Sequence, residues 1–95
     1  MAERLTDDQI EQGLEGSAWS RDGDAIAREF ELKDFAGAMA FVNAVAGLAE
    51  AANHHPDILI HGWNKVRLTL STHSADGLTQ SDLDLARAID GLSAS

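Results

Sequence analysis

The chain contains a single proline, Pro56, which stands directly after a long alanine-rich apolar segment. Apolar residues recur there every three or four positions, so the segment predicts a long helix with Asp34 as its N-cap. A residue that precedes proline is pushed out of the α region, so the helix must end near Asn53 and His55 must be extended. The expected core-facing stripe of this helix consists of Phe35, Met39, Val42, Val45, Ala46 and Ala49.

Two hairpin signals flank the long helix. Asp22-Gly23 precedes it and suits the positive φ angles of a tight turn, and Gly62 marks a second turn after it. The strands around these turns are expected at residues 18–21, 25–32, 57–60 and 65–72. Polar and apolar residues alternate along the last strand, which is typical of a strand with one buried face. Its core-facing residues are Val66, Leu68 and Leu70.

Capping patterns predict two further helices. Thr6 and Gln9 form a capping box that should begin a short peripheral helix over residues 7–14. Thr79 and Asp82 form an acidic variant of the same box ahead of a last amphipathic helix. The apolar positions of that last helix are Leu83, Ala86, Ala88 and Ile89.

The order of elements is helix, two strands, long helix, two strands, helix, without the spacing of parallel βαβ units. It predicts an α+β fold in which a four-stranded antiparallel sheet carries helices packed on one face. A chain of 95 residues fits one domain over residues 1–95, with residues 1–15 at its periphery and residues 93–95 as a frayed tail. The uncovered sheet face and its edge strands suggest a further subunit.

Composition excludes several classes of function. Sixteen acidic against seven basic residues give a formal charge of -9, which is a poor match to nucleic acid or to an anionic membrane. The absence of cysteine excludes disulfides and a thiolate nucleophile. No apolar signal-peptide core is visible near the start, so a cytoplasmic location is expected. The weakly apolar segment 35–52, which carries Asn43 and Glu50, is interpreted as a buried helix rather than a membrane span.

Three of the four histidines cluster with polar residues in the second half of the chain. EAANHHP occupies residues 50–56, and Ser71-Thr72-His73 follows later. Imidazole is the side chain whose ordinary pKa lies nearest neutrality, so proton transfer is the first hypothesis. The break before Pro56 lets His54 and His55 be aimed separately into one pocket. The alternative is that both rings only cap the last carbonyls of the helix.

Four other side chains are candidates for the same site. His73 should share the polar face of its strand and reach a cleft. Glu50, one helical turn before His54, can hydrogen-bond that ring or be a plain surface carboxylate. Asp82 can support the site or only stabilise the start of its helix. Trp19 can stack on a planar ligand or belong to the core or an interface.

A metal site is not expected. The adjacent histidines do not have the i, i+4 spacing of a zinc-binding helix, and no cysteine is present. His61 is interpreted as a solvated turn residue outside the site. No metal or other cofactor is therefore assigned.

Glu50-x3-His54-His55-Pro56, followed by an aromatic at Trp63, then His73 and Asp82, resembles the pterin-4a-carbinolamine dehydratase family. The resemblance covers nearly all residues from 19 to 89. It extends to Asp24-Ala25-Ile26, Phe30, Lys33-Asp34-Phe35, Asn64-Lys65-Val66, Leu70-Ser71-Thr72-His73 and Leu83-x-Leu85-Ala86. In one departure, the segment between Pro56 and Trp63 is a residue longer than in the animal members.

The resemblance implies a small α+β enzyme that removes water from 4a-hydroxytetrahydropterin and gives quinonoid dihydropterin. It also implies homodimers or homotetramers, a link to aromatic amino acid hydroxylases, and no cofactor, because the pterin is the substrate. The pterin-contacting residues implied are Asn53, His54, His55, Ser71, Thr72 and His73, with Glu50 and Asp82 in support. The catalytic residues implied are His54, His55 and His73.

Imidazoles can supply both proton transfers that a carbinolamine dehydration needs. His54 and His73 are the expected acid/base pair, and His55 is expected to orient the pterin and share in proton transfer. The alternative is a non-catalytic interaction module, because members of the same family act as a transcriptional dimerisation cofactor or as assembly factors.

Overall fold

A computed structural model describes residues 3–93, and in this range the chain forms three α-helices and a four-stranded antiparallel sheet. The elements are α1 (Asp7–Leu14), β1 (Ser20–Asp22), β2 (Ala25–Glu31), α2 (Phe35–Ala52), β3 (Asp57–His61), β4 (Lys65–Leu70), a short 3-10 helix (His73–Ala75) and α3 (Gln80–Ser93). The predicted α+β class and order of elements are confirmed. Ser93 is the last residue of α3, and the rest of the predicted frayed tail lies outside the described residues.

The sheet has the strand order β1-β2-β4-β3, so β2 and β4 are central and β1 and β3 are edges. Ile26 pairs with Leu70 and Phe30 with Val66, which places apolar side chains of both central strands on one face. That face packs with the buried residues of the helices in one hydrophobic core. The predicted core-facing residues Val66, Leu68 and Leu70 are all 0% exposed.

Both hairpin turns depend on positive φ angles. Asp22 pairs with Ala25, so the central residues of the first turn are Gly23 and Asp24, and only Gly23 has a positive φ, of 62°. Glycine at the first central position is typical of a tight two-residue hairpin. The turn between β3 and β4 takes positive φ at Gly62 (55°) and also at Trp63 (59°), one position beyond the predicted glycine.

Helix α2 begins and ends where the sequence predicts, but it buries a different face. The Asp34 side chain accepts a hydrogen bond from the Gly37 amide at 2.7 Å and caps the helix. The buried residues of α2 are Ala38, Phe41, Val45 and Ala49. Phe35 and Met39, predicted to face the core, are 54% and 39% exposed, and Ala46 is exposed as well. The predicted stripe is therefore wrong for these three residues.

The reason is that α2 is apolar on more than one side. Apolar residues at positions 35, 39, 42 and 46 form one stripe, and the buried residues form a second stripe about a quarter turn away. Periodicity detects both stripes and cannot select between them. By length and composition α2 also matches a membrane-spanning helix, yet its buried stripe packs into the core of this fold. The expected burial of the helix holds for one face only.

The two shorter predicted helices are present with their caps. Thr6 and Gln9 form the reciprocal capping box of α1, at 2.9 and 3.2 Å, and Ile10 is the buried residue of this helix. In α3 the Thr79 amide donates to Asp82 Oδ2 at 2.9 Å, as the acidic box predicts. The buried apolar residues of α3 are Leu83, Leu85, Ala86 and Ile89. Ala88, one of the apolar positions of the predicted helix, is exposed.

Candidate active site

The chain reverses direction at the end of α2, and this reversal separates the adjacent histidines. Asn53 takes the left-handed conformation (φ 50°, ψ 43°), and its amide donates to carbonyls in the last helical turn. The His54 amide donates to the Ala49 carbonyl at 3.0 Å. This is a helix C-cap of the left-handed type, in which asparagine is the common substitute for glycine. The predicted break near Asn53 is confirmed.

The His54 side chain points into the protein. Its ring is 14% exposed, and Nε2 lies 2.5 Å from Oδ1 of Asp82, whose side chain is 0% exposed. Asp82 lies in the first turn of α3, where the partial positive charge of the helix end stabilises a carboxylate. Asp82 therefore has both roles that the sequence left open: it stabilises the start of its helix and it contacts a histidine of the candidate site.

The second oxygen of Asp82 is also fully engaged. Oδ2 accepts from the Thr72 hydroxyl at 2.8 Å and from the Thr79 amide at 2.9 Å. The Thr72 and Thr79 hydroxyls are themselves 2.8 Å apart. Both threonines are buried, at 8% and 1% exposure. Buried charge is costly unless it is hydrogen-bonded, and Asp82 meets this condition on both oxygens.

His55 has a different partner and a different environment. Its Nε2 lies 2.5 Å from Oε2 of Glu50, and both side chains are exposed. The prediction that Glu50 would contact His54 is wrong: the reversal at Asn53 turns His54 towards α3 and leaves His55 over the last turn of α2. Glu50 is thus the partner of the more exposed ring.

His73 lines a cavity of about 260 Å³ beside the end of β4. The residues lining it are Asp24, Ala25, Ser71, Thr72, His73, Asp76 and Gly77. The strand ends at Leu70, and His73 begins the 3-10 helix, so the argument from strand parity does not apply to it. The prediction that His73 reaches a cleft nevertheless agrees with this lining.

The predicted site residues are brought together only in part. Ser71, Thr72 and His73 share the cavity, and Thr72 also contacts Asp82, which holds His54. Neither His54 nor His55 is among the residues that line this cavity, and Asn53 is an exposed helix cap. The buried side chains of Thr72 and Asp82 thus connect the cavity to His54 at the end of α2.

Trp19 is not available to stack on a ligand. It is 3% exposed, its Nε1 donates to Asp90 Oδ1 at 2.8 Å, and its ring meets Phe30 edge-on at 6.2 Å. The prediction of a substrate contact is therefore wrong, and the alternative of a core residue is what the structure shows. A tryptophan with a satisfied ring N–H is well suited to a core of this size.

His61 lies away from the candidate site, in β3, with Nε2 2.5 Å from Oε1 of Glu29. Within residues 3–93 no group of three or more histidine, aspartate or glutamate side chains lies close enough to hold a metal ion. The sequence did not single out Asp24, Asp76 or Thr79 as site residues. Asp24 stood within the resemblance and Thr79 within the capping pattern, and only the fold shows that they adjoin the cavity or its hydrogen bonds.

The fold defines a class of small α+β proteins with a four-stranded antiparallel sheet, and here the end of the central helix α2 is joined by Asp82 and Thr72 to a cavity lined by His73. The chain belongs to the family described as pterin 4 alpha carbinolamine dehydratase, whose sequence pattern matches residues 3–92. Membership in this family supports dehydratase activity, and the predicted resemblance is confirmed.

Curated relatives match over nearly their full length. A protein of Natronomonas pharaonis is 49% identical over 92 residues, which cover 97% of this chain and 98% of the relative. A protein of Roseiflexus sp. strain RS-1 is 55% identical over 91 residues, which cover 95% of this chain and 97% of the relative. Both carry the name pterin-4-alpha-carbinolamine dehydratase as a provisional assignment.

Two solved structures share the fold. A transcriptional coactivator/pterin dehydratase from Brucella melitensis superposes with a TM-score of 0.87 at 35% identity, covering 93% of this chain and 96% of that one. A pterin dehydratase-like protein described as a RuBisCO assembly factor in the alpha-carboxysome gives a TM-score of 0.69 at 26% identity, covering 82% and 92%. Proteins that share this fold are thus described with different functions: one as a coactivator and dehydratase, the other as an assembly factor.

Proposed function

We propose that this protein is a hydro-lyase that converts 4a-hydroxytetrahydropterin to quinonoid dihydropterin and water, and so supports the recycling of tetrahydropterin. Family membership gives the reaction class. The observation that carries the proposal is the His54 ring held by the buried Asp82, one hydrogen bond from a threonine that lines the His73 cavity.

The reaction requires two proton transfers. The 4a-hydroxyl must be protonated to leave as water, and a ring nitrogen must lose a proton, so the net change is the loss of one water molecule. Imidazoles can do both without a cofactor. We assign His54 and His73 as the acid/base pair, and His55 to orienting the pterin and sharing in proton transfer. Asn53 and Ser71 remain proposed pterin contacts.

The cavity constrains how the substrate can bind. Its volume of about 260 Å³ is slightly below the roughly 300–1,000 Å³ that is usual for ligand pockets. We therefore expect the cavity to take one edge of the bicyclic ring system and to leave the substituent on the pyrazine ring in solvent. This arrangement is compatible with several reduced pterins as substrates.

Steady-state dehydration of a 4a-hydroxypterin by the purified protein tests the proposal. The double variant His54→Ala plus His73→Ala should lose the acceleration over buffer, because both proposed proton-transfer groups are gone. His61→Ala is the matched control, since the fourth histidine pairs with Glu29 on β2, away from the cavity. An inactive wild-type protein would remove the enzymatic proposal, and an active double variant would remove this assignment of residues.

A second function, as a non-catalytic interaction module, is favoured by exposed apolar side chains. Phe35, Leu59 and Trp63 are 54%, 54% and 60% exposed, and one structural neighbour is described as an assembly factor. A module of this kind predicts a stable partner in a pull-down and a phenotype that survives His55→Ala. The enzyme hypothesis predicts no stable partner in a pull-down and a phenotype that is lost in His55→Ala.

We also propose that the chain forms homodimers or homotetramers. The outward stripe of α2 consists of the exposed residues Phe35, Met39 and Ala46 together with Val42, which is partly buried against the core. Its 4-3-4 spacing is that of a helix face that packs on another helix, and the edge strands β1 and β3 offer unpaired backbone groups. Association of copies through these surfaces would cover apolar area that a monomer leaves in water. Multi-angle light scattering measures the outcome directly.

The setting proposed for the enzyme is the cytoplasm, in a pathway with an aromatic amino acid hydroxylase. The formal charge of -9 supports a small-molecule partner over nucleic acid or an anionic membrane. A hydroxylase gene beside the gene for this protein would support this setting.

A further inference from the structure

A buried hydrogen-bond chain connects the cavity to the His54 ring. It runs from the Thr79 hydroxyl to the Thr72 hydroxyl (2.8 Å), on to Asp82 Oδ2 (2.8 Å), and from Asp82 Oδ1 to His54 Nε2 (2.5 Å). Thr79 and Asp82 are 1% and 0% exposed. Three chain segments thus meet in one network: the end of β4, the start of α3 and the end of α2.

The direction of the hydrogen bonds follows from counting hydrogens. The Thr72 hydroxyl donates its one hydrogen to Asp82 Oδ2. Thr79 must therefore be the donor in the bond between the two hydroxyls. Oδ2 accepts this Thr72 hydrogen and also the Thr79 amide hydrogen, so it carries no proton of its own. The Thr72 hydroxyl, the Thr79 hydroxyl and the Thr79 amide thus each donate to an acceptor.

The two nitrogens of the His54 ring differ in environment. Nε2 faces Asp82 Oδ1. No hydrogen bond joins Nδ1 to another described residue, and among residues 3–93 no buried side-chain nitrogen or oxygen lacks a partner. Nδ1 is therefore the ring nitrogen with access to solvent.

We propose that Thr72 and Thr79 are positioning residues that fix the Asp82 carboxylate and, through it, hold His54 with its hydrogen on Nε2 and with the lone pair of Nδ1 open to solvent. An ionised carboxylate is only an acceptor, so a carboxylate held in place by two donors at Oδ2 selects this tautomer through Oδ1. The inference rests on the proposed function only for its catalytic consequence. The tautomer itself is a property of the protein alone.

The proposal also changes the role of Thr72. The sequence resemblance implies that Thr72 contacts the pterin, but its hydroxyl already donates to Asp82 and accepts from Thr79. The side chain is 8% exposed. Thr72 therefore acts on catalysis through Asp82 and His54.

Ring-nitrogen NMR of ¹⁵N-labelled protein tests the tautomer without any substrate. The His54 signals are assigned by their loss in His54→Gln. At a pH where the ring is neutral, the wild-type protein should show a pyrrole-type Nε2 and a pyridine-type Nδ1. The opposite pattern, or an averaged one, overturns the proposal whatever the enzymatic activity. The correct pattern in a protein without dehydratase activity keeps the proposal and removes the proposed function.

Threonine variants test the positioning role. Thr72→Val and Thr79→Val should each shift the two His54 nitrogens towards an averaged position, and Thr72→Ser and Thr79→Ser should restore the wild-type pattern. Thr69→Val is the matched control, because Thr69 lies beside Ala27 on the face of β4 opposite to the buried Leu68 and Leu70. In the dehydratase assay Thr72→Val should lower kcat on the order of 10-fold with KM nearly unchanged, by analogy with the hydrogen-bond partners of metal-binding histidines.

Two outcomes would overturn this role. A rise in KM with an unchanged kcat in Thr72→Val would show that the hydroxyl contacts the substrate. A lower melting temperature in both valine variants, with unchanged ring-nitrogen shifts and unchanged kcat, would show that the two threonines only cap α3.

Discussion

Replacing Asp82 by asparagine should reverse the tautomer of His54 while preserving the fold. The oxygen at the Oδ2 position accepts from the Thr72 hydroxyl and the Thr79 amide, so the amide oxygen of an asparagine is forced to that side. Its NH₂ group then occupies the Oδ1 position, 2.5 Å from His54 Nε2 in the wild type. Because NH₂ is a donor, the ring must move its own hydrogen to Nδ1 and accept at Nε2.

The size of the effect can be worked from the three bonds. Hydrogen bonds to a charged group contribute about 1.5–3 kcal/mol and neutral ones about 0.5–1.5, so changing all three bonds of Asp82 from charged to neutral would cost roughly 3–4.5 kcal/mol in total. Removal of a buried charge offsets part of this cost. The net expectation for Asp82→Asn is a free energy of unfolding lowered by about 1–2 kcal/mol. In a domain of this size that corresponds to a melting temperature lowered by roughly 5–15 °C.

Activity should fall much more than stability. A hydrogen on Nδ1 removes the lone pair through which His54 would exchange a proton with the substrate, and general acid/base catalysis contributes about 10²–10⁴-fold. In a serine protease triad the equivalent aspartate-to-asparagine change lowers kcat about 10⁴-fold through the wrong tautomer. We expect kcat of Asp82→Asn to fall between these limits at a temperature where the variant is folded.

The assay combines thermal unfolding, dehydration kinetics and ring-nitrogen NMR on one preparation. Asp84→Asn is the control, since Asp84 is exposed on the same helix and bonds only Gln80 among the described side chains at 2.9 Å. A folded Asp82→Asn protein with wild-type kcat and the hydrogen of His54 still on Nε2 would refute the reasoning.

Three further predictions concern the fold and its assembly. Leu68→Ala, at 0% exposure in a central strand, should lower the free energy of unfolding by about 2–5 kcal/mol, and Leu59→Ala, at 54% exposure, by less than about 0.5; equal midpoints in urea would contradict this. Asn53→Gly should unfold like the wild type, whereas Asn53→Val should lose about 1–2 kcal/mol, because Val does not tolerate the left-handed conformation. Met39→Glu should shift light scattering towards smaller species, while Ala44→Glu, on another exposed side of α2, should not; the same mass for both variants would exclude the outward stripe as an interface.

Local rules in the sequence predict most of the fold. The capping box at Thr6, the N-cap at Asp34 and the break before Pro56 each involve residues within four positions of one another, and all three are present in the structure. Strand alternation likewise places Leu68 and its neighbours in the core, because register and burial are coupled by the two-residue period. Signals of this range need no knowledge of distant partners.

Predictions that depend on distant partners are less successful. The outward residues of α2 were expected in the core because an alanine-rich helix is apolar nearly all round, and only the neighbouring α3 and β4 decide which face is buried. Trp19 likewise has a partner 71 positions away, Asp90, that no local pattern reveals. A sequence reveals which side chains could take part in hydrogen bonds or catalysis, but tertiary packing decides which side chains they contact.

The same limit applies within the site. The sequence singles out His54, Asp82 and His73 as candidates, but it pairs Glu50 with the wrong histidine and assigns Thr79 only to a capping pattern. The error at Thr79 arises because its hydroxyl contacts Thr72, which only the fold reveals. The error at Glu50 arises at the reversal at Asn53. A side chain that follows a helix end has its direction set by the left-handed residue before it, and that conformation is not encoded in spacing along the chain.

The reversal at Asn53 explains why two adjacent histidines can have different roles. On a continuing helix the geometry of the helix alone would fix the two rings about 100° apart. Here the chain reversal at Asn53 directs His54 to Asp82, whose side chain is 0% exposed. His55 instead contacts Glu50, whose side chain is 76% exposed. The first ring is oriented by the packed start of another helix, and the second only by a surface residue of its own helix. A proton-transfer group needs a fixed tautomer and a defined direction, so His54 meets this requirement better than His55, which can adjust its direction to a bound ring.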